Sequence, residues 1–242
     1  MKKLSILFAS VLFITGIAFS QTEDDVEPGA VNEEGGITVQ LNLGYASDTT
    51  TAKTVCDSFE AKQLILELDA FSMYKPIDLL GIGYNLNLNC GIGGSEKLNT
   101  EMETPWGIKR ATDGGLTYSI AMEIGPAVGL FLGNIANIYA NLDFAFGYKH
   151  DTPYKYHSED NKDKYELGVG ALYVGFSTGV QAVLLPKMGL NPVFGWRFRA
   201  GYSSDVDLKV SCTDTGWDFN DKYKCTYTFR QNIIYAGLAI NF

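Results

Sequence analysis

Beyond residue 20 the sequence holds no clean apolar run of about eighteen residues, the length an α-helix needs to cross a bilayer. The nearest stretch, Ile124 to Leu142, is interrupted by Pro126, Asn134, Asn137 and Asn141 and flanked by Glu123 and Asp143, which disfavours a helical membrane protein. Bases are scarce. With 19 Lys and Arg against 28 Asp and Glu the net charge is −9, and there is no clustered basic footprint of the kind nucleic acid requires. Histidine is limited to His150 and His157, and cysteine to Cys56, Cys90, Cys212 and Cys225. There is no Cys-x-x-Cys pair and neither histidine lies near a cysteine in sequence, so neither zinc nor any other metal or cofactor is expected.

What is present at the amino end is a leader. Lys2 and Lys3 precede an apolar stretch from Leu4 to Phe19, and Ala18-Phe19-Ser20 supplies the small residues a signal peptidase needs. Residues 1–20 are therefore expected to be a signal peptide cleaved before Gln21. Loss of the two lysines takes the net charge from −9 to −11. No cysteine follows the cleavage site to carry a lipid anchor, and export permits disulfides to persist. Residues 21–35 hold six acids and no base, the composition of a disordered tail. Residues 36–242 form the remaining domain.

That domain alternates with a period of two. In Ile37-Thr38-Val39-Gln40-Leu41-Asn42-Leu43-Gly44-Tyr45 every odd residue is large and apolar and every even one polar or Gly, which places them on opposite faces of a strand. Ile82 to Ile92 does the same through Asn85, Asn87 and Asn89, and six further segments follow near residues 64–71, 118–130, 138–148, 174–182, 194–202 and 234–242. Leu167, Val169, Ala171 and Tyr173 have the opposite parity to Val174 and Phe176, which predicts a bulge or a switch of face near Tyr173. Pro126 removes one ladder donor and predicts a local defect in its strand.

The connections alternate strictly. Three are short, at Lys75–Asp78, Leu132–Asn137 and Pro186–Leu190; four are long and polar, at about 46–62, 94–116, 150–165 and 203–226. One-sided loops, an even strand count and a hydrophobic face too large to hide predict an all-β fold: an eight-stranded antiparallel up-and-down transmembrane barrel with short periplasmic turns, surface loops and both termini periplasmic. Tyr45, Tyr118, Tyr148 and Tyr202 at the loop-side strand ends, and Tyr84, Trp196 and Phe242 near the turn-side ends, fit two interfacial girdles against outer-membrane lipids.

The last segment, Tyr235-Ala236-Gly237-Leu238-Ala239-Ile240-Asn241-Phe242, resembles the carboxyl-terminal signal of bacterial outer-membrane barrels, in which a Gly is followed by spaced hydrophobics and a terminal aromatic. The resemblance implies that Tyr235, Gly237, Ile240 and Phe242 are read by the barrel-assembly machinery and that the chain resides in the outer membrane. From about Gly36 onward the chain resembles the small OmpA/OmpX/OmpW/Opa-like group in size and layout, a resemblance that carries architecture rather than function.

A barrel of eight strands has an interior just wide enough for side chains to fill. Glu67, Asp69, Glu123, Asp143, Arg197 and Arg199 fall on the interior parity at similar depth, where two arginines among four carboxylates predict a charge network that plugs the lumen. A narrow gated pore is the functional alternative for the same groups. No catalytic residue is expected. His157-Ser158-Glu159 has hydrolase residue types, but neighbours in an extended chain point apart. Outward strand ends, where a lipid-modifying barrel would carry His and Ser, read as aliphatic and aromatic. Asp218-Phe219-Asn220-Asp221 lacks the spacing and glycine of a calcium loop. Cys212 and Cys225 would close a short surface loop, stabilising it by about 3 kcal/mol; Cys56 with Cys90 is a further pairing, less secure because Cys90 has lipid-facing parity. The expected function is that of a non-enzymatic surface barrel whose loops meet host molecules, ligands or neighbours. The alternative is a small OmpW-like channel or porin for small or hydrophobic solutes.

Overall fold

Strands apolar on one face and polar on the other close on themselves when the polar face has somewhere to hide and the apolar face meets lipid. In the computed structural model, which describes residues 36–53, 55–98, 101–105, 107–158, 164–186, 189–213 and 216–242, the strands do close. They are β1 (Ile37–Ala52), β2 (Cys56–Ile77), β3 (Leu80–Ser95), β4 (Glu101–Thr104), β5 (Gly107–Arg110), β6 (Leu116–Phe131), β7 (Ala136–His157), β8 (Lys164–Leu184), β9 (Asn191–Cys212) and β10 (Trp217–Asn241). Eight of them form one closed antiparallel barrel in the order β1-β10-β9-β8-β7-β6-β3-β2, and β4–β5 is a separate ribbon. The signal peptide and the acidic tail expected at 1–35 lie outside the described residues.

The polarity is that of a membrane barrel. Leu41, Leu43, Leu66, Ile82, Leu142, Phe144, Phe176, Phe194, Ile234 and Leu238 are exposed, while Gln40, Asn42, Glu67, Asn87, Glu123 and Arg197 are buried. Of the residues expected in the two girdles, Tyr45, Tyr118 and Tyr202 above and Tyr84, Trp196 and Phe242 below are exposed, while Tyr148 is half-buried. The barrel is closed by β1 on β10, and the terminal residue continues that ladder: Ile37 N–H donates to the Phe242 carbonyl at 3.1 Å and Phe242 N–H to the Ile37 carbonyl at 2.8 Å.

Three of the four segments expected to be long loops are strands instead. β1 runs to Ala52 and β2 starts at Cys56, β7 and β8 reach His157 and Lys164, and β9 and β10 reach Cys212 and Trp217. A strand needs only about 9–11 residues to span the hydrocarbon, so strands of 22 and 25 residues, β9 and β10, stand well above it. The period continues in Val206, Leu208, Val210 and Cys212, which alternate with Asp207, Lys209 and Ser211. Asp218–Asp221, read as loop, lies in β10 opposite Ser211–Leu208. At the other end the first turn is Asp78-Leu79, the ladder running on to Ile77 opposite Leu80.

That geometry corrects the disulfide. Cys212 pairs with Trp217, and Cys225 lies eight residues further along β10, roughly 27 Å at 3.3–3.4 Å per residue, whereas a disulfide needs Cα atoms within about 7 Å. The Cys225 thiol instead donates to the Lys53 carbonyl at 2.8 Å. Cys56 and Cys90 are also remote: Cys56 is opposite Ala52, and Cys90 is opposite Leu66, ten residues along β2.

Two irregularities were anticipated in part. β6–β7 pairing lapses between Ile124/Phe144 and Ala127/Asn141, around Pro126. β8–β9 pairing shifts between Gly170/Asp207 and Val174/Tyr202, but β8 does not change face, since Tyr173 and Ser177 are both inward and buried. Its apolar residues simply pass from the lipid side to the lumen side. The switch is on β9, where Gly201 and Val206 both point in, an odd spacing that requires one extra residue.

Glycine serves packing inside the barrel. A Cβ on Gly201 would lie 2.3 Å from Phe229 Cε1, and one on Gly195 2.3 Å from Tyr235 Cζ. Gly201→Val is expected to displace the Phe229 ring and destabilise the barrel by about 1–3 kcal/mol, read as a lower urea midpoint after refolding into vesicles. Gly189→Ala, where an added Cβ meets nothing within 4 Å, should leave the midpoint unchanged.

Candidate functional site

Inward parity places the functional side chains, and the barrel order decides which of them meet. Arg197 on β9 faces β2 and β6, each three strands away around the ring. Its Nη1 contacts Glu67 Oε1 and Glu123 Oε2, both at 3.3 Å, and its Nη2 contacts Asp69 Oδ1 at 2.8 Å. Two residues on, Arg199 binds Glu123 through Nε and donates from Nη1 to Gln231 Oε1 at 2.5 Å. Ser177 donates to Glu123 Oε2 at 2.6 Å. Amides complete the shell: Asp69 accepts from Asn42 Nδ2 at 2.9 Å and from Asn87 Nδ2 at 2.7 Å.

Of the four carboxylates singled out in the sequence, three, Glu67, Asp69 and Glu123, gather around the two guanidinium groups. Asp143 does not. It lies opposite Ser177, itself opposite Arg199, yet neither guanidinium bonds it. Asp143 accepts instead from Asn85 Nδ2 at 2.8 Å and from Asn141.

A second polar layer lies above the first, and sequence reasoning missed it. Lys149 Nζ contacts both carboxylate oxygens of Asp151 at 2.5 and 2.7 Å, Thr50 Oγ1 at 3.1 Å and Asp48 Oδ2 at 3.5 Å. Tyr227 donates to Asp151 Oδ2 at 2.9 Å, Gln63 to Asp48 Oδ2 at 2.6 Å, and Thr117 also bonds Asp151. Asp48 and Asp151 fall within segments assigned to loops. The overlooked signal was the inward parity of Gln40, Asn42 and Asp48 on β1, which continues past Tyr45.

Apolar groups cap both layers. At the turn end Phe71 stacks on Tyr139 with centroids 4.9 Å apart and Phe131 meets the Tyr139 edge at 6.0 Å, with Met73 and Tyr235 beside them. Tyr235, expected within the terminal assembly signal, faces the lumen here and donates to Gln181 Oε1 at 2.7 Å. Above the arginines Tyr173 meets Phe229 edge-on at 4.6 Å. Higher still, Phe59, Leu98, Tyr154, Tyr165, Leu167 and Cys212 form an outer cluster. Burial there raises the Tyr154 phenol to about 12, so it remains protonated and donates to the Lys109 carbonyl at 2.9 Å. All nine charged side chains of the two layers are at most 1% exposed.

The histidines do not join this network. His150 faces outward on β7, stacked on Tyr118 at 4.9 Å, so one outward strand end carries an imidazole where only aliphatic and aromatic side chains were expected. His157 N–H donates to Thr112 Oγ1 at 3.1 Å at the outer tip; Glu159, the third member of its triplet, lies outside the described residues. Among the described residues no three His, Cys, Asp or Glu side chains are grouped to hold a metal.

Known structures share the architecture. The outer membrane protease OmpT of Escherichia coli matches with a TM-score of 0.51 at 8% identity over 89% of this chain and 99% of its own. A major outer membrane protein of Thermus thermophilus matches at 0.50 and 11% identity over 84% and 99%. This is the fold of the small bacterial outer-membrane β-barrels. Neisserial surface protein A is also similar, at a TM-score of 0.43 and 12% identity over 86% of this chain and 100% of its own. No family model and no curated protein matches the sequence.

Removing Arg197 from this barrel leaves Glu67, Asp69 and Glu123 without their shared cation. Arg197→Ala is expected to lower the unfolding free energy by about 3–5 kcal/mol, measured by urea titration in vesicles. Asp143→Asn, whose partners are amides, should lose clearly less.

Proposed function

We propose that the protein is a non-enzymatic outer-membrane barrel that does not conduct and acts through its outer surface, by adhesion, ligand or host contact, or envelope structure. The burial of every charged side chain of the two layers supports this reading. Side chains from β1, β2, β6, β7, β9 and β10 meet across the interior in two charged layers, and aromatic groups close the space below and above them. A channel for small or hydrophobic solutes would have to break charge-assisted bonds made at 2.5–3.3 Å, and a lipid-like cargo would cross a belt of buried charge. The raised hairpins β7–β8 and β9–β10, with the β4–β5 ribbon, supply the presenting surface. Arg110 Nε and Glu101 Oε1 brace that ribbon at 2.9 Å.

The reading includes export by a cleaved leader, both termini on the periplasmic side, and capture of the last strand by the barrel-assembly machinery. Refolded protein in planar bilayers should show no single-channel steps, and Arg197→Ala should open them. Steady steps in the wild type would overturn the plug. Deleting Phe242, which removes both closing bonds to Ile37, should reduce the amount recovered in the outer-membrane fraction without altering the outer hairpins.

A further inference from the structure

The raised sheet of β7, β8, β9 and β10 has two edges above the membrane, and they are finished differently. On β7, Thr112 N–H donates to the Lys155 carbonyl at 2.7 Å and Lys155 N–H to the Asp113 carbonyl at 3.1 Å, so a further segment of the same chain is added through backbone bonds. β10 has no such cover among the described residues. Its pairing with β1 ends at Tyr227 opposite Ala52, and the last backbone bond on that side runs from Lys53 N–H to the Thr226 carbonyl at 3.0 Å. From Asp218 to Lys224 it pairs with β9 alone, and all seven residues are exposed. At 3.3–3.4 Å per residue that edge is about 23 Å long.

Two bonds show which backbone groups face the open side. Where the barrel closes, Phe242 turns its N–H and carbonyl toward Ile37 of β1, so the even residues of β10 face β1. Higher up, Lys222 N–H turns to Asp221 Oδ1 at 2.8 Å. Asp218, Asn220 and Lys224 share that orientation by alternation. Sheet edges of this length are commonly blunted by proline or by like charges. This one has no proline, and Lys222 and Lys224 lie directly opposite Asp207 and Asp205, which balances the outer face. On the inner face Phe219 and Tyr223 lie opposite Val210 and Val206 and are 40% and 47% exposed. The apolar face of the extension therefore runs out at β10 half-exposed.

We propose that this edge docks an extended polypeptide segment of another protein, which adds to β10 as a further strand with apolar side chains at alternate positions. Its backbone pairs with Asp218, Asn220, Lys222 and Lys224, and its inward side chains continue the layer of Val206, Val210, Phe219 and Tyr223. At Lys222 the incoming carbonyl replaces the Asp221 side chain, one hydrogen bond for another. Backbone pairing supplies affinity and the alternation supplies selection. The proposal rests on the reading of a barrel that acts through its outer surface, and it names the class of partner.

The test uses the folded protein in micelles and a fluorescent peptide with the sequence of residues 205–212 carrying Cys212→Ser, the strand that β10 already accepts in register on its other side. A peptide of the same composition with its apolar residues placed side by side is the control. Anisotropy should show saturable binding of the alternating peptide alone, with new protection from amide exchange confined to residues 217–225. Asn220→Pro removes an N–H on the open side while sparing the β9 ladder, and should weaken binding by at least about tenfold. Tyr223→Ser, which leaves the backbone donors in place, should weaken it by roughly threefold. Unchanged heat-modifiable migration shows each variant folded. Equal binding of the control peptide, protection elsewhere in the chain, wild-type binding by folded Asn220→Pro, or no binding of the alternating peptide at about 1 mM would each overturn the proposal. Conductance is a separate measurement: a conducting barrel that binds the peptide would overturn the plug and leave the edge, and a silent barrel that ignores the peptide would do the reverse.

Discussion

Arg197, shared among Glu67, Asp69 and Glu123 in the middle of the barrel, is the contact on which the remaining interior is arranged. It joins β9 to β2 and β6 directly, across the lumen and independently of the ladder. Yet three bases, Lys149, Arg197 and Arg199, face six buried carboxylates. An uncompensated buried charge costs several kcal/mol, and the whole fold is stable by only about 5–15 kcal/mol. Neutral donors must therefore offset the difference. This accounts for the asparagines of the inner face: Asn42 and Asn87 donate to Asp69, and Asn85 and Asn141 to Asp143. An amide supplies an N–H without adding a charge that would itself need a partner.

The same constraint explains the vertical order of the barrel. Charged layers are strongest where water is excluded, and the aromatic groups at each end exclude it. Tyr139, Phe71 and Phe131 close the turn end; Phe229 and Tyr173 separate the arginine layer from the outer cluster. Bulk of that kind fits only where the opposing wall is bare, hence Gly195 beneath Tyr235 and Gly201 beneath Phe229. Above the membrane the problem inverts. The exterior of the raised hairpins meets water, so the hydrophobic side chains of β8 and β9 turn inward at Leu167, Val169, Val206 and Leu208, and the extension has an apolar core of its own.

That inversion marks the limit of what the sequence revealed. Within the membrane, apolar-out and polar-in alternation over eight segments was strong enough to define the strands, their order and the arginine layer. Beyond Tyr148 and Tyr202 the period of two persists but its meaning flips, and polar outward residues such as Asp207, Lys209 and Asp218 read as loop. Asp48 and Asp151 were lost with those segments, which left Lys149, at the end of its strand, without visible partners, and the cysteines drew together in a loop that is in fact a ladder. In β8 the change of apolar parity at Tyr173 was visible, but it reports a change of surroundings rather than of backbone. The backbone event is in β9, where Ser203, Ser204 and Asp205 carry no hydrophobic pattern to betray an added residue.

The position of that added residue follows from the two regimes it joins. Below it, β9 must turn Phe194, Trp196 and Tyr202 to lipid and Arg197 and Arg199 to the lumen. Above it, Val206, Leu208 and Val210 must turn inward and Asp207 and Lys209 outward. Odd residues are inward in the first register and even ones in the second, and a continuous strand cannot satisfy both. One extra residue resolves the conflict at the cost of a register shift on both sides of β9, against β8 between Gly170 and Val174 and against β10 between Lys224 and Tyr227, and the least costly place for such a loss is outside the hydrocarbon, where an unpaired backbone group costs several kcal/mol less. The seam at Ser203–Val206 is therefore a consequence of stacking a soluble-type core on a membrane-type barrel.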